Sequence, residues 1–156
     1  MSVTLRPVET TDTQAVGDIF LAALAGMTYL PELYTEEDTR TFIRDVLLPN
    51  NEVWVAEDGG RVIGFLGLWG DLVSHLWVHP DQQNEGVGTS LLELAKERRP
   101  SGLQLQVFQQ NVGARRLYER HGFKLMRLAD GRGNREGEPE AFYEWRPRDP
   151  SPADLP

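Results

Sequence analysis

The chain of 156 residues has no cysteine. That excludes a disulfide scaffold, a thiol nucleophile and zinc sites of the thiolate kind. No stretch approaches the ~20 apolar residues needed to span a bilayer, and the opening MSVTLRPVE has no apolar signal core. No membrane partner and no export are expected, which favours a cytoplasmic setting. Positive charge is scarce too: 16 Lys and Arg face 24 Asp and Glu, a net charge of −8. No nucleic-acid partner is expected, because phosphate neutralisation needs a basic face. A cationic substrate suits this balance, although most surface carboxylates only face solvent. Internal repeats are missing, as is the Gly-x4-Gly-Lys-Ser/Thr phosphate loop. The dinucleotide string Gly-x-Gly-x-x-Gly fails at Leu91 after Gly86 and Gly88.

What is present reads as one domain over residues 1–147, followed by a Pro-rich tail, 148–156, expected to be disordered. Residues 3–8 alternate as a first strand. Thr11 and Gln14 have capping-box spacing before a helical run with Ala15, Val16, Ile19, Phe20, Ala23 and Leu24. After an irregular link at 26–31, Thr35 caps a second helix, acidic in its first turn. This helix should turn Phe42, Ile43, Val46 and Leu47 inward and stop at Pro49. Strands 52–58 and 61–69 flank the turn Asp58-Gly59-Gly60, and 71–79 extends them into an antiparallel meander. A helix from Gly86 to about Arg99, a strand at 102–108, and a helix capped by Asn111 and closed by Gly122 come next. Strands 123–128 and 141–146 close the domain around a polar excursion at 129–140. The order implies a mixed α+β architecture, a sheet covered by helices rather than an alternating doubly wound one.

The stretch His75 to Leu92 organises the rest. A strand ending at Val78 and Pro80 passes through a turn carrying Gly86 and Gly88 into an amphipathic helix. Helix starts leave backbone N–H groups without partners and carry partial positive charge, which makes an anion site. Glycine there lets backbone approach a ligand.

The string Gln83-Asn84-Glu85-Gly86-Val87-Gly88, paired with Asn111-Val112-Gly113-Ala114-Arg115-Arg116-Leu117-Tyr118 through Gly122-Phe123, resembles motifs A and B of the GCN5-related N-acetyltransferase (GNAT) superfamily. The resemblance extends in element order over nearly the whole chain. It implies the acyl-CoA N-acyltransferase fold, a central, mostly antiparallel twisted sheet with helices on both faces. It also implies transfer of acetyl from acetyl-CoA to a primary amine in a ternary complex, with no metal. By the resemblance, Gln83, Asn84, Glu85, Gly86, Val87, Gly88 and Thr89 wrap the pyrophosphate through main-chain donors. Leu76, Trp77 and Val78 pair with the pantetheine arm in a wedge between strands 71–79 and 102–108. An N–H near Val78 faces the thioester carbonyl. Asn111 and Ala114 lie against the pantetheine. Tyr118 stands where the family commonly has the general acid. Many relatives carry Arg or Lys in the phosphate loop, whereas here Glu85 repels phosphate; Arg115 and Arg116 are the nearest basic residues.

The general base stays open between His75 and an ordered water. His75 has a reference pKa of ~6.5. On simple alternation Asp71, Val73, His75, Trp77 and His79 share one strand face, a register that a bulge in this strand would shift; spacing leaves open which face meets the acceptor. His75 and His79 are too far apart along a strand, at ~13 Å, to share a metal ion. Substrate contacts are expected from Met27, Tyr29, Leu30, Tyr34, Trp69 and the excursion Asn134 to Glu140, with a small-molecule amine ranked ahead of a protein N-terminus or lysine. A CoA-sensing module without turnover is the competing class. The final strands leave room for a homodimer.

Overall fold

The computed structural model describes residues 3–83 and 86–147. Asn84, Glu85 and the expected tail 148–156 lie outside the described residues. β1 (Thr4–Pro7) leads through a 3-10 turn at Thr10–Asp12 into α1 (Thr13–Ala25). The start of α1 is held differently from the Thr11–Gln14 expectation. Asp12, only 6% exposed, accepts the Glu9 N–H at 2.8 Å and two guanidinium N–H groups of Arg6 at 2.8 and 2.9 Å. A nearly buried carboxylate needs such a partner, so the ion pair decides the turn.

α2 (Glu36–Phe42) is capped by Thr35, whose hydroxyl accepts the Asp38 N–H at 3.0 Å. A π-helical stretch, Ile43–Leu47, and a last turn, α3 (Leu48–Asn50), continue it. The wider π turn changes which side chains face inward. Ile43 and Leu47 are fully buried, whereas Phe42 and Val46, both expected inside, are 36% and 43% exposed.

β2 (Glu52–Asp58), β3 (Arg61–Trp69) and β4 (Leu72–Val78) form the expected meander. Then come α4 (Val87–Arg98), β5 (Leu103–Phe108), α5 (Val112–Arg120), β6 (Lys124–Ala129) and β7 (Glu140–Trp145). The strands form one sheet in the order β1-β2-β3-β4-β5-β7-β6. Neighbours are antiparallel except β4 and β5, which are parallel.

Each face of the sheet has its own core. On one, Leu91, Leu92 and Ala95 of α4 pack with Leu66, Leu68, Val73, Leu103 and Tyr143. On the other, Val16 and Ile19 of α1 join Ile43 and Leu47 against Val53, Val55 and Phe65. Burying a single such side chain contributes about 1.5–3 kcal/mol, so helices on both faces are required for a stable sheet.

One irregularity overturns the simple alternation along β4. Leu68 pairs with Val73 but Gly67 pairs with His75, leaving Ser74 as a bulge whose hydroxyl donates to Asn51. An extra residue reverses the sense of the strand. Val73 therefore joins Leu76 and Val78 on the α4 face, while His75 and Trp77 face α1.

Candidate active site

The sheet splits in its middle. β4 and β5 are joined at the single register pair Leu72↔Gln104, supported by the Gln104 N–H donating to the Asp71 carbonyl at 2.9 Å. Beyond that point the strands part, and a cleft of about 1080 Å³ opens between them. Its walls bring together Leu76, Trp77 and Val78 of β4, Gln83, Gly86, Gly88 and Thr89 of the turn, and Asn111, Ala114 and Tyr118 of α5.

At the α4 end the site is main-chain. Gly86 caps the helix with φ +82°, in the left-handed region, and a Cβ there would meet nothing within 4 Å. Its glycine is required by conformation. Gly88 lines the cleft and also eases packing: a Cβ would lie 3.2 Å from Leu117 Cδ2, so its smallness lets α5 sit close on α4. The Val87 side chain is buried in the core, leaving only its N–H to face a ligand. Thr89 Oγ1 lies 3.2 Å from His121 Nε2, tying the two helices together at the helix start.

The expected basic contacts are redistributed. Arg115 turns inward and donates to Tyr143 Oη at 3.1 Å and to the Gln109 carbonyl at 3.3 Å. Arg116 is exposed, and Arg120 lines the cleft instead. Arg120 lies one turn beyond Arg116 on the same helical stripe, which is the signal that could have pointed to it.

In the middle of the cleft the backbone of β4 faces the gap. The His79 N–H donates to the Ile63 carbonyl at 2.8 Å. Alternation in an antiparallel ladder then turns the N–H and C=O of Val78 away from β3. The Gln83 side chain reaches the Val78 carbonyl at 3.5 Å from that open side. Tyr118 is buried, with ring centroids 5.8 Å from Phe123 and 6.3 Å from Tyr143. Burial pushes its phenol pKa up, so it holds its proton through the neutral range. Asn111 accepts the Ala114 N–H at 3.2 Å and so caps α5.

The far end is made of side chains. His75 lies among Phe20, Phe42 and Phe65, with centroid distances of 5.7, 6.1 and 6.4 Å, and accepts the Trp77 indole N–H at Nδ1 (3.2 Å). Desolvation lowers its pKa to about 4, so it is neutral and weakly basic at pH 7. Met27 and Tyr29 reach the cleft, as do Gln106, Phe108, Gln110 and Glu140, four positions the sequence motifs did not single out individually. Tyr34 accepts a hydrogen bond from Arg135 at 2.9 Å, joining the α1–α2 link to the β6–β7 excursion. Leu30 and Tyr34 are not in the cleft wall. Trp69 is misplaced by the sequence reading: it pairs with Leu72 at the closed end and is 60% exposed. Within the excursion, the Asn134 side chain brackets the Glu138 main chain through two bonds, 2.7 and 3.2 Å. Among the described residues no cluster of three His, Asp or Glu is arranged to hold a metal ion.

A sheet parted in the middle, with a helix start at one end of the gap and a phenol along it, has the layout expected of acyl-CoA-dependent transferases. Residues 49–125 match the family described as Acetyltransferase (GNAT) domain, which supports the GNAT superfamily for this chain. It is 27% identical over 127 residues to the peptidyl-lysine N-acetyltransferase YiaC of Escherichia coli K12, a match covering 80% of this chain and 86% of that protein. Its fold resembles apo YjaB from Escherichia coli, at 24% identity and TM-score 0.77, covering 93% of this chain and 98% of that one. It also resembles yncA from Salmonella typhimurium, solved with its cofactor acetyl-CoA, at 21% identity and TM-score 0.74, covering 97% and 98%.

Proposed function

We propose that this acetyltransferase modifies the amine of a lysine side chain presented by a peptide or protein. The sequence alone ranks a small-molecule amine first; the likeness to YiaC over most of both chains supports the peptidyl reading instead. Both acceptors carry a primary ammonium, and the chemistry is common to them. In this reading the free N–H groups at the start of α4 hold the diphosphate of acetyl-CoA, with Arg120 beside them. Gly86 and Gly88 allow that helix start. The donor supplies an activated acetyl group as a thioester, and the Val78 N–H stabilises the oxyanion that develops on its carbonyl. Tyr118 returns a proton to the leaving thiolate. An alkylammonium with reference pKa ~10.4 must first lose a proton, and a histidine at pKa about 4 is a poor acceptor for it. Water therefore carries that proton out, and His75 serves as a neutral wall of the acceptor side. The cytoplasmic setting belongs to the same proposal.

The observation that carries the reading is the buried, protonated Tyr118 in the cleft opposite the open edge of β4. Thiol release from acetyl-CoA tests it, with a lysine peptide in one arm and a panel of small amines in the other. The peptide is expected to be turned over faster. Tyr118→Phe is expected to lower kcat by about 10²–10⁴-fold with CoA affinity kept. Equal rates for wild type and Tyr118→Phe would remove Tyr118 as the acid. Tight CoA binding without turnover of any amine would favour a sensor.

A further inference from the structure

Of the buried side-chain polar atoms among the described residues, the Tyr29 hydroxyl alone has no hydrogen-bond partner. Buried hydroxyls are nearly always bonded, so one left alone in a cleft wall points to a ligand. Its place supports that conclusion. Tyr29 packs edge-on to Phe108, centroids 6.1 Å apart, at the mouth where β5 ends. Glu138 is held beside the cleft wall by three bonds: Gln110 Nε2, on that wall, donates to its carboxylate at 3.0 Å, and Asn134 grips its main chain. Desolvation, and after it the Glu138 charge, raises the Tyr29 pKa. Gln110, the residue that holds Glu138, itself lines the cleft. Three segments far apart in sequence thus meet: the link after α1, the turn after β5 and the β6–β7 excursion.

We propose that the Tyr29 hydroxyl and the Glu138 carboxylate together receive the ammonium group of the acceptor, the hydroxyl accepting an N–H and the carboxylate balancing the charge. This rests on the reading of the cleft as an amine acetylation site and adds the residues that select a cationic acceptor. Tyr29 and Phe108, both on the cleft wall, give the corner an aromatic lining that suits an ammonium on an aliphatic arm. A neutral or anionic acceptor would leave Glu138 without a counter-charge.

The probe is Nα-acetyl-lysinamide, and the variants are Tyr29→Phe and Glu138→Gln. In thiol-release assays each variant is expected to raise the KM for the probe about 10–100-fold, the loss of one hydrogen bond to a charged group. The KM for acetyl-CoA should stay at the wild-type value. Tyr29→Phe removes an unpaired buried hydroxyl, so its Tm without ligand should be unchanged or higher by about 2–4 °C. A role in packing alone would lower Tm and leave the probe KM unmoved, and that result overturns the assignment. Calorimetric binding of the probe in the presence of CoA reads the corner without turnover. Binding by wild type and loss in both variants supports the corner even where no thiol is released, and in that case only the catalytic reading falls. Equal binding by all three proteins, or none by the wild type, overturns the corner itself.

Discussion

The two ends of the cleft are made of different material. At the α4 end the groups that face a ligand are main-chain N–H donors, held by a glycine in the left-handed region and a helix that needs no particular side chain there. At the mouth between α1 and β5 the wall is made of side chains, Tyr29, Phe108 and Gln110, the last bonded to Glu138, supplied by segments that meet only through folding. A main-chain site tolerates change as long as its turn survives. A side-chain corner depends on each residue.

This contrast can be strained from either side. Acid should act on the mouth end first. His75 titrates near 4 in the folded protein against 6.5 in the unfolded chain, because Phe20, Phe42 and Phe65 exclude water from it. The unfolded state binds more protons between those values. Stability from this group is therefore full above pH 6.5 and falls, by up to about 3 kcal/mol in all, as pH drops to 4. Denaturant midpoints at pH 7, 5.5 and 4 for wild type and His75→Leu should show a flatter acid slope in the variant. Identical slopes would mean that the aromatic surround does not hold His75 neutral.

A smaller effect should appear at the main-chain end. Gly86→Val places a β-branched residue at φ +82°, at a cost of about 1–2 kcal/mol. The CoA dissociation constant is expected to rise about tenfold while the acceptor KM holds. Equal loss in both would show that the two ends are not separable.

The least disruption is expected from Asn111→Ala, which removes the α5 cap at a cost of about 1 kcal/mol and lowers Tm by about 2–4 °C. A fall in CoA affinity well beyond that loss of stability would mean that the Asn111 amide also touches the pantetheine.

Much of this was legible before folding was considered. Thr35 as a cap, Asn111 as a cap, Gly122 after α5 and Gly86 at the start of α4 all act within one turn of themselves, so spacing along the chain reveals them. Tyr118 was legible because its helix carries a motif. The reason for Gly88 was not, since it lies in Leu117 on another helix. Nor was the bulge at Ser74, which moves Val73 to the face opposite His75 and depends on pairing with β3 and on Asn51. Arg115 looked like a phosphate ligand until Tyr143 and Gln109 claimed its guanidinium. Trp69 looked like a substrate contact until the sheet put it at the closed end of the gap.

By itself the sequence determined the order of strands and helices and the glycine-bearing start of α4, because periodicity, capping and turn chemistry are local, and its two motifs carried the family resemblance. Only the tertiary structure decided where β4 and β5 part, which face His75 takes and which side chains meet at the mouth. Those depend on contacts between residues far apart in the chain, and no local pattern encodes the distance between them.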